Sequence, residues 1–191
     1  MKKTILTSAI LFLCVITYAQ DSITKPRLLL RPFFECGANF LRNDVLKQNY
    51  ATQSMYVWSA GLQIGFPGTS QMIPYLQFSS SSFGIKNRIS PNSVADSVLS
   101  IKQGTCGVIL PFKIITDVYL RARFGYTYSA IKESFYKIDA SAHGFQIGIG
   151  AEWRISGSSR IYSDFVYNYQ KTERSSFSDF DVTRLSIGFV F

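Results

Sequence analysis

The chain has few residues of the kinds that ordinarily ligate metals or act as nucleophiles. Its 191 residues include only three cysteines, Cys14, Cys36 and Cys106, and one histidine, His143. The spacing of Cys36 and Cys106 matches no metal-binding or redox motif. We predict that these two cysteines are inert free thiols and that the protein binds no cofactor.

Charged residues are also scarce, at 17% of the chain, and they form no run of lysine or arginine. The formal net charge is +8. Without a basic run or a basic helix, this balance does not indicate nucleic-acid binding. Dispersed cations that face anionic lipid head groups fit it better. The hydrophobic fraction of 47% and the aromatic fraction of 15% argue against a disordered chain.

A continuous apolar segment occurs only near the N-terminus. Lys2-Lys3 precede the apolar residues Ile5 to Ile16, and Thr17-Tyr18-Ala19 offers small residues at the cleavage-determining positions. This pattern predicts a signal peptide over 1–19 and one exported domain over 20–191. The apolar segment is shorter than the ~20 residues that a spanning helix needs. A membrane protein with this sequence would therefore have to cross as a β-barrel.

The strongest pattern in the rest of the chain is the alternation of apolar and polar residues, which predicts β-strands. Eight segments of about ten residues show it, with a suspected bulge at Gly104. They lie at 31–40, 56–66, 72–81, 99–113, 118–128, 145–155, 161–170 and 184–191. The predicted fold is all-β, an eight-stranded antiparallel up-and-down transmembrane β-barrel.

The connections between these segments alternate between short and long, as in outer-membrane barrels. The short ones fall at 67–69, 115–117 and 156–159. The long ones run over 41–54, 82–98, 131–142 and 171–181. With the first strand running outward, every long loop lies on the extracellular side. This topology puts Cys36 and Cys106 on strands one and four, which are not neighbours, so no disulfide is expected.

Alternation alone leaves open which face is wet, because a soluble barrel of the lipocalin type has the same period. Small residues dominate the polar face, which suits a narrow interior filled by side chains. Aromatic residues on the apolar face gather at the strand ends, as at the two interfaces of a membrane. The outer set is Tyr56, Trp58, Tyr126, Tyr128, Tyr167 and Tyr169, and the inner set is Phe66, Trp153, Phe189 and Phe191.

Several charged residues share the inward parity of the predicted strands. Charges in a low-dielectric interior have to be paired. We therefore predict a network of salt bridges that seals the barrel, and an open conduit is the alternative. The predicted network comprises Glu35, Arg121, Arg123, Glu152, Arg154, Asp164 and Arg184.

The only candidate catalytic set is centred on His143. Ser141 lies two residues before it and shares its parity, whereas Glu152 has the opposite parity and lies deeper in the strand. A Ser–His–acid arrangement needs all three groups within hydrogen-bonding reach. We therefore expect no enzymatic activity, with an outer-membrane lipid-modifying enzyme as the alternative.

The predicted loops carry mixed charge. Cations such as Lys86 and Arg88 can contact the phosphates of lipopolysaccharide. The expected partners are outer-membrane lipid and, during biogenesis, the barrel-assembly machinery.

The eight strands, the signal ending at Ala19-Gln20 and the closing strand Leu185–Phe191 resemble the outer-membrane β-barrel domain proteins of Bacteroidetes. The resemblance covers essentially the whole mature chain. It implies an integral outer-membrane protein of a Gram-negative bacterium with a structural or surface-interaction role through its loops. PorT-like members of this family are linked to type IX protein secretion, so the resemblance also implies secretion-apparatus proteins as possible partners.

Overall fold

The computed structural model of the protein describes residues 29–44, 47, 50–51, 54, 56–65, 72–84, 98–133, 138–156, 159–173 and 179–191. Several predictions lie outside these residues. They concern the signal peptide, the turn at 67–69, the interface residue Phe66 and the loop cations Lys86 and Arg88.

The described strands form one closed barrel in which each strand pairs antiparallel with its neighbours in the chain and β1 pairs with β8. The predicted eight-stranded antiparallel up-and-down barrel is confirmed. No helix among the described residues is both long enough and apolar enough to cross a membrane. The strands are β1 Leu29–Leu41, β2 Tyr56–Gly65, β3 Ile73–Gly84, β4 Val98–Ile115, β5 Val118–Glu133, β6 Ile138–Ser156, β7 Ser159–Thr172 and β8 Phe180–Val190.

Three consecutive strands are the longest of the barrel, and each is longer than predicted. β4, β5 and β6 contain 18, 16 and 19 residues, whereas a tilted strand crosses a membrane in about 9–11 residues. The prediction of a loop over 131–142 is wrong in its described part, because β5 and β6 remain paired there, with Ile131 opposite Ala140. Strand also covers 82–84, 171–172 and 180–181, which were predicted as loop.

The predicted bulge at Gly104 is wrong as well. β4 pairs without interruption with β3 and β5 on both sides of this glycine. The register shift of β4 lies instead between Lys113 and Ile115, beside the short turn to β5. In that turn Asp117 has a φ of 66°, a left-handed conformation that aspartate tolerates in turns better than most residues other than glycine.

The alternation in β4 is blurred because the two faces of the strand exchange character along its length. At the end nearest the long loops, called the loop end here, Leu99 and Ile101 are buried inside and Lys102 is exposed outside. Toward the opposite, turn end, Thr105 is buried inside and Phe112 is exposed outside. An apolar inside with a polar outside is the arrangement of a water-soluble barrel. The blur therefore marks the point where the strand leaves the apolar outer band.

Two apolar clusters fill the barrel at its ends. The cluster at the loop end, called the upper core, consists of Leu41, Tyr50, Phe83, Leu99, Ile101, Ile131, Ala140, Ala142, Phe180 and Val182. The cluster toward the turn end, called the lower core, consists of Phe33, Ile73, Tyr75, Ile109, Tyr162 and Val190.

The connection from β1 to β2 helps to cover the loop end. Tyr50 from this connection is buried in the upper core. Ala51 donates its backbone N–H to the carbonyl of Gly84, and Ser54 donates its own to the carbonyl of Asn39. These backbone bonds hold the connection against the rim of the barrel.

The outer surface between the loop-end rim and the turns is apolar. Across the described residues, 26 large hydrophobic side chains are exposed, among them Leu76, Ile149 and Phe165. Soluble monomers rarely expose contiguous apolar patches of more than a few hundred Å². A continuous outward apolar band around a closed barrel is the arrangement found in proteins that span a membrane as β-strands.

Candidate functional site: the barrel interior and its loop-end rim

A chain of alternating charges occupies the barrel on the turn side of the upper core, among the residues of the lower core. Its centre is Glu35 on β1, whose carboxylate is completely buried and lies 3.1 Å from Arg184 Nη2 and 3.2 Å from Arg123 Nη1. Gln77 Nε2 and the Tyr162 hydroxyl also donate to this carboxylate, at 2.7 and 3.0 Å. Three hydrogen-bond donors and the nearby Arg184 guanidinium provide the pairing that a buried charge requires.

The chain of charges continues from Arg123 across the barrel. Arg123 Nη1 lies 2.9 Å from Asp164 Oδ2, and Arg121 Nε lies 3.4 Å from Asp164 Oδ1. Arg121 Nη1 then reaches Glu152 Oε2 at 3.2 Å, and Arg160 contacts the other oxygen of Glu152. The result, called the ion chain here, runs Arg184, Glu35, Arg123, Asp164, Arg121, Glu152 and Arg160.

Neutral groups complete the shell around the ion chain. Arg123 Nη2 donates to Gln77 Oε1 at 2.7 Å, and the Arg121 guanidinium lies 3.9 Å from the centre of the Tyr162 ring. Gln146 donates to the hydroxyl of Tyr75. These contacts fix the guanidinium planes and fill the interior with side chains.

Glycines make room for this network at two close approaches. A Cβ atom on Gly150 would lie 2.0 Å from Asp164 Oδ1, and one on Gly188 would lie 2.2 Å from the Tyr162 ring. Any larger residue at these positions would displace a member of the network. Gly148-Ile149-Gly150 therefore serves interior packing, which agrees with the absence of a dinucleotide-loop pattern around it.

Six of the seven residues predicted for the interior network are in the ion chain. The seventh, Arg154, is a correction: its side chain is 41% exposed and its guanidinium lies 3.9 Å from Asp117 at the turn end. Arg154 is the cross-strand partner of Arg160, and like charges directly opposite each other repel. Because Arg160 pairs with Glu152, Arg154 is left to turn outward toward Asp117.

Sequence reasoning missed Arg160 and Gln77 as members of the interior network. Arg160 has the inward parity of Asp164, but it lies one residue before the predicted start of its strand. Gln77 lies on the weakly patterned third strand, and a neutral side chain gives no charge signal. A search for every polar residue of inward parity would have found both.

The predicted interface aromatics point outward. Among the described ones, Tyr167 and Tyr169 are partly covered and the others are exposed. Phe145 and Tyr169 have ring centroids 5.7 Å apart, and Trp58 and Phe78 have centroids 5.8 Å apart. Trp153 and Phe189 flank Ile161 at one level near the turn end. The aromatics therefore lie in two groups, one near the turns and one below the loop-end rim.

The two remaining cysteines lie on the outer surface. Cys36 on β1 and Cys106 on β4 are both free and exposed. The strands that carry these cysteines are not neighbours in the barrel. The expectation of two unbridged thiols agrees with this placement.

The residues of the candidate catalytic set do not assemble as a Ser–His–acid triad. Glu152 lies inside the barrel, and the acid beside His143 is Glu173, whose Oε1 lies 3.8 Å from His143 Nδ1. Ser141 Oγ donates to Glu173 Oε2 at 2.5 Å. The carboxylate therefore stands between the hydroxyl and the imidazole. Nucleophilic catalysis needs the imidazole to accept the hydroxyl proton, and this arrangement directs that proton to the carboxylate.

No group of three or more histidine, cysteine, aspartate or glutamate side chains close enough to hold a metal ion occurs in the part of the chain that the structure describes. Glu35, Glu152 and Asp164 are each paired with arginines.

The geometry defines a class of fold, a small closed barrel with a charged, side-chain-filled interior and an apolar outer band. No protein-family profile and no curated protein matches the chain. Solved structures do match it at low sequence identity. Over 84% of this chain and 95% of the other, the neisserial surface protein NspA is 11% identical, with a TM-score of 0.56.

Two further solved structures have the same fold. Ail, the attachment invasion locus protein of Yersinia pestis, solved in complex with the heparin analogue sucrose octasulfate, is 14% identical over 84% of this chain and 96% of its own, with a TM-score of 0.54. The N-terminal β-barrel domain of Pseudomonas aeruginosa OprF is 12% identical over 86% of this chain and 100% of its own, with a TM-score of 0.50. The chain therefore has the fold of small eight-stranded outer-membrane barrels.

Proposed function

We propose that the protein is an integral, non-enzymatic barrel of a Gram-negative outer membrane, closed to solutes, which acts as a structural or surface-interaction protein through its loop end. The observation that carries this proposal is the filled interior beneath an apolar outer surface. The ion chain and the two apolar cores leave the barrel axis occupied by side chains. Eight strands leave room for little else.

Membrane insertion and closure are tested separately. A folded barrel in detergent should migrate faster on a gel before heating than after heating, and the protein should fractionate with the outer membrane. In planar bilayers the purified barrel should give no stable conductance. A lasting open channel would contradict the closed interior while leaving membrane insertion intact.

The absence of enzymatic activity is supported by the position of Glu173 between Ser141 and His143. Lipid release by the purified barrel, measured with lipopolysaccharide and with phospholipid substrates, should not exceed the release by a Ser141→Ala variant. Release by the wild type alone would support the alternative, an outer-membrane lipid-modifying enzyme.

A second candidate role, as a PorT-like accessory of type IX protein secretion, rests on the resemblance of the sequence pattern to Bacteroidetes barrels. It predicts contacts with secretion-apparatus proteins. The test compares the secreted proteins of a deletion strain and its parent by mass spectrometry. Selective loss of exported cargo would favour this role, and an unchanged set of secreted proteins would remove it.

A further inference from the structure

The apolar outer band is interrupted by a groove on the face formed by β2 to β5. On β4, Gly104 lies between Phe78 of β3 and Tyr128 of β5. A Cβ atom built on Gly104 meets no heavy atom within 4 Å, so the space between the two neighbouring side chains is open. The groove has a volume of about 520 Å³. Its lining includes Ala60, Leu62, Leu76, Phe78, Cys106 and Tyr128.

Two cations stand at the loop-side end of this groove. Lys102 is the next outward residue of β4 after Gly104, and its cross-strand neighbours are the small residues Ser80 and Ala130. Lys132 lies two residues beyond Ala130 on β5, which makes it a diagonal neighbour of Lys102 at roughly 7–8 Å. Both lysines are exposed.

The chemistry of this face is complementary to an amphiphile with a negatively charged head group. An apolar groove open to the membrane accommodates an acyl chain, and two ammonium groups above it bind a phosphate by charge-assisted hydrogen bonds. Asp139 lies opposite Lys132 across the β5–β6 ladder, which leaves Lys102 as the cation without a cross-strand acid.

We infer that this face is a binding site for lipopolysaccharide, with one phosphate held between Lys102 and Lys132 and one acyl chain in the groove at Gly104. The inference rests on the proposed outer-membrane location, in which the loop end faces the outer leaflet. Charge complementarity and the position of both lysines at the loop-side end of the groove favour a phosphorylated lipid of that leaflet.

The test is native mass spectrometry of the refolded full barrel in detergent, titrated with purified lipopolysaccharide. K102A/K132A removes the cations, and Gly104→Phe places a ring in the groove from a position where an added Cβ atom meets no heavy atom within 4 Å. The matched controls are Lys113→Ala, an exposed lysine near the turn end of the same strand, and Cys36→Phe, an exposed small residue on β1.

The expected result is binding about five- to tenfold weaker for K102A/K132A and for Gly104→Phe, with both controls unchanged. Dephosphorylated lipopolysaccharide should bind the wild type as weakly as intact lipopolysaccharide binds K102A/K132A. Equal affinity of the wild type and both site variants for lipopolysaccharide would overturn the inference. Binding of phosphatidylglycerol to the wild type as tightly as lipopolysaccharide would also overturn it, as would a dimer of the protein in place of the lipid adduct. Heat-dependent gel mobility of each variant separates loss of this site from failure of the barrel to fold, which would contradict the proposed function instead.

Discussion

In the turn-side part of the barrel the inward side chains include a chain of paired charges and the outward ones are apolar, whereas at the loop end the inward side chains are mainly apolar and exposed lysines face outward. The ion chain and the apolar outer band belong to the first region. The upper core and the exposed lysines of β4 and β5 belong to the second. The difference shows that the outward side chains of each region match the surroundings of that region. These surroundings are lipid around the turn-side part and water around the loop end, although the same strands run through both.

The two regions also close the barrel by different physical means. In the turn-side part, closure depends on paired charges, and loss of one partner leaves the other charge buried and unpaired in a low-dielectric interior. At the loop end it depends on dry packing, where loss of a side chain leaves a cavity. Substitutions that affect one mechanism should leave the other region largely intact.

The largest effect is expected from Glu35→Gln. The substitution leaves Arg123 and Arg184 buried without their shared carboxylate, and breaking a buried pair costs about 3–5 kcal/mol. Urea unfolding of the refolded barrel, followed by gel mobility, measures this loss in the free energy of unfolding. Glu173→Gln, at an exposed carboxylate, should cost less than about 1 kcal/mol. A loss of similar size for the two variants would contradict a buried ion chain.

A cavity in the upper core should come next. Leu99 is fully buried, and Leu99→Ala is expected to lower the free energy of unfolding by about 2–5 kcal/mol. The control is Leu76→Ala on β3, where the side chain is 44% exposed on the outer band. It should cost clearly less, since removal of an outward side chain leaves no internal cavity. Equal losses would mean that the loop end is not a packed core.

A charge on the outer face distinguishes the two solvents directly. Ile149 is an outward, exposed residue of β6, and Ile149→Lys should destabilise the barrel in phospholipid vesicles by about 2–4 kcal/mol. Ser141 lies on the same strand but at the loop end, and Ser141→Lys should change the free energy of unfolding by about 0.5 kcal/mol or less. If both variants cost the same, the boundary between the apolar band and the wet rim is misplaced.

The smallest effect concerns pH at the loop end. The backbone N–H of Thr172, its hydroxyl and the Tyr169 hydroxyl all donate to the Asp179 carboxylate and hold its pKa below the ordinary aspartate value. Because the folded-state pKa is lowered, the contribution to stability is complete above the unfolded-state pKa. It is lost as the pH falls through the folded-state pKa.

Amide hydrogen exchange at Thr172 measures this loss. Protection should decrease in acid in the wild type, and an Asp179→Asn variant should show weaker protection without that acid-dependent step. An acid-dependent decrease of the same size in the variant would show that another group is responsible.

Much of the fold followed from the pattern of residues, and its errors have physical causes. Strands such as β2 and β5 were predicted from strict alternation, which persists because one face meets lipid throughout the band. β4 and the loop-end extension of β6 were misjudged, because the apolar side chains change from the outward to the inward face of the strand where the surroundings change from lipid to water. The interior charges were found by parity, but parity cannot decide between Arg154 and Arg160 at a strand end, where a side chain can turn inward or outward.

The sequence by itself determined the number of strands, their antiparallel order and most of the charged residues that face inward, because a period of two and short turns leave few other arrangements. The tertiary structure alone decided which charges meet, where the apolar band stops and that Gly104 opens a groove below two lysines. These features depend on the shear of a closed barrel, which brings together residues from strands far apart in the chain.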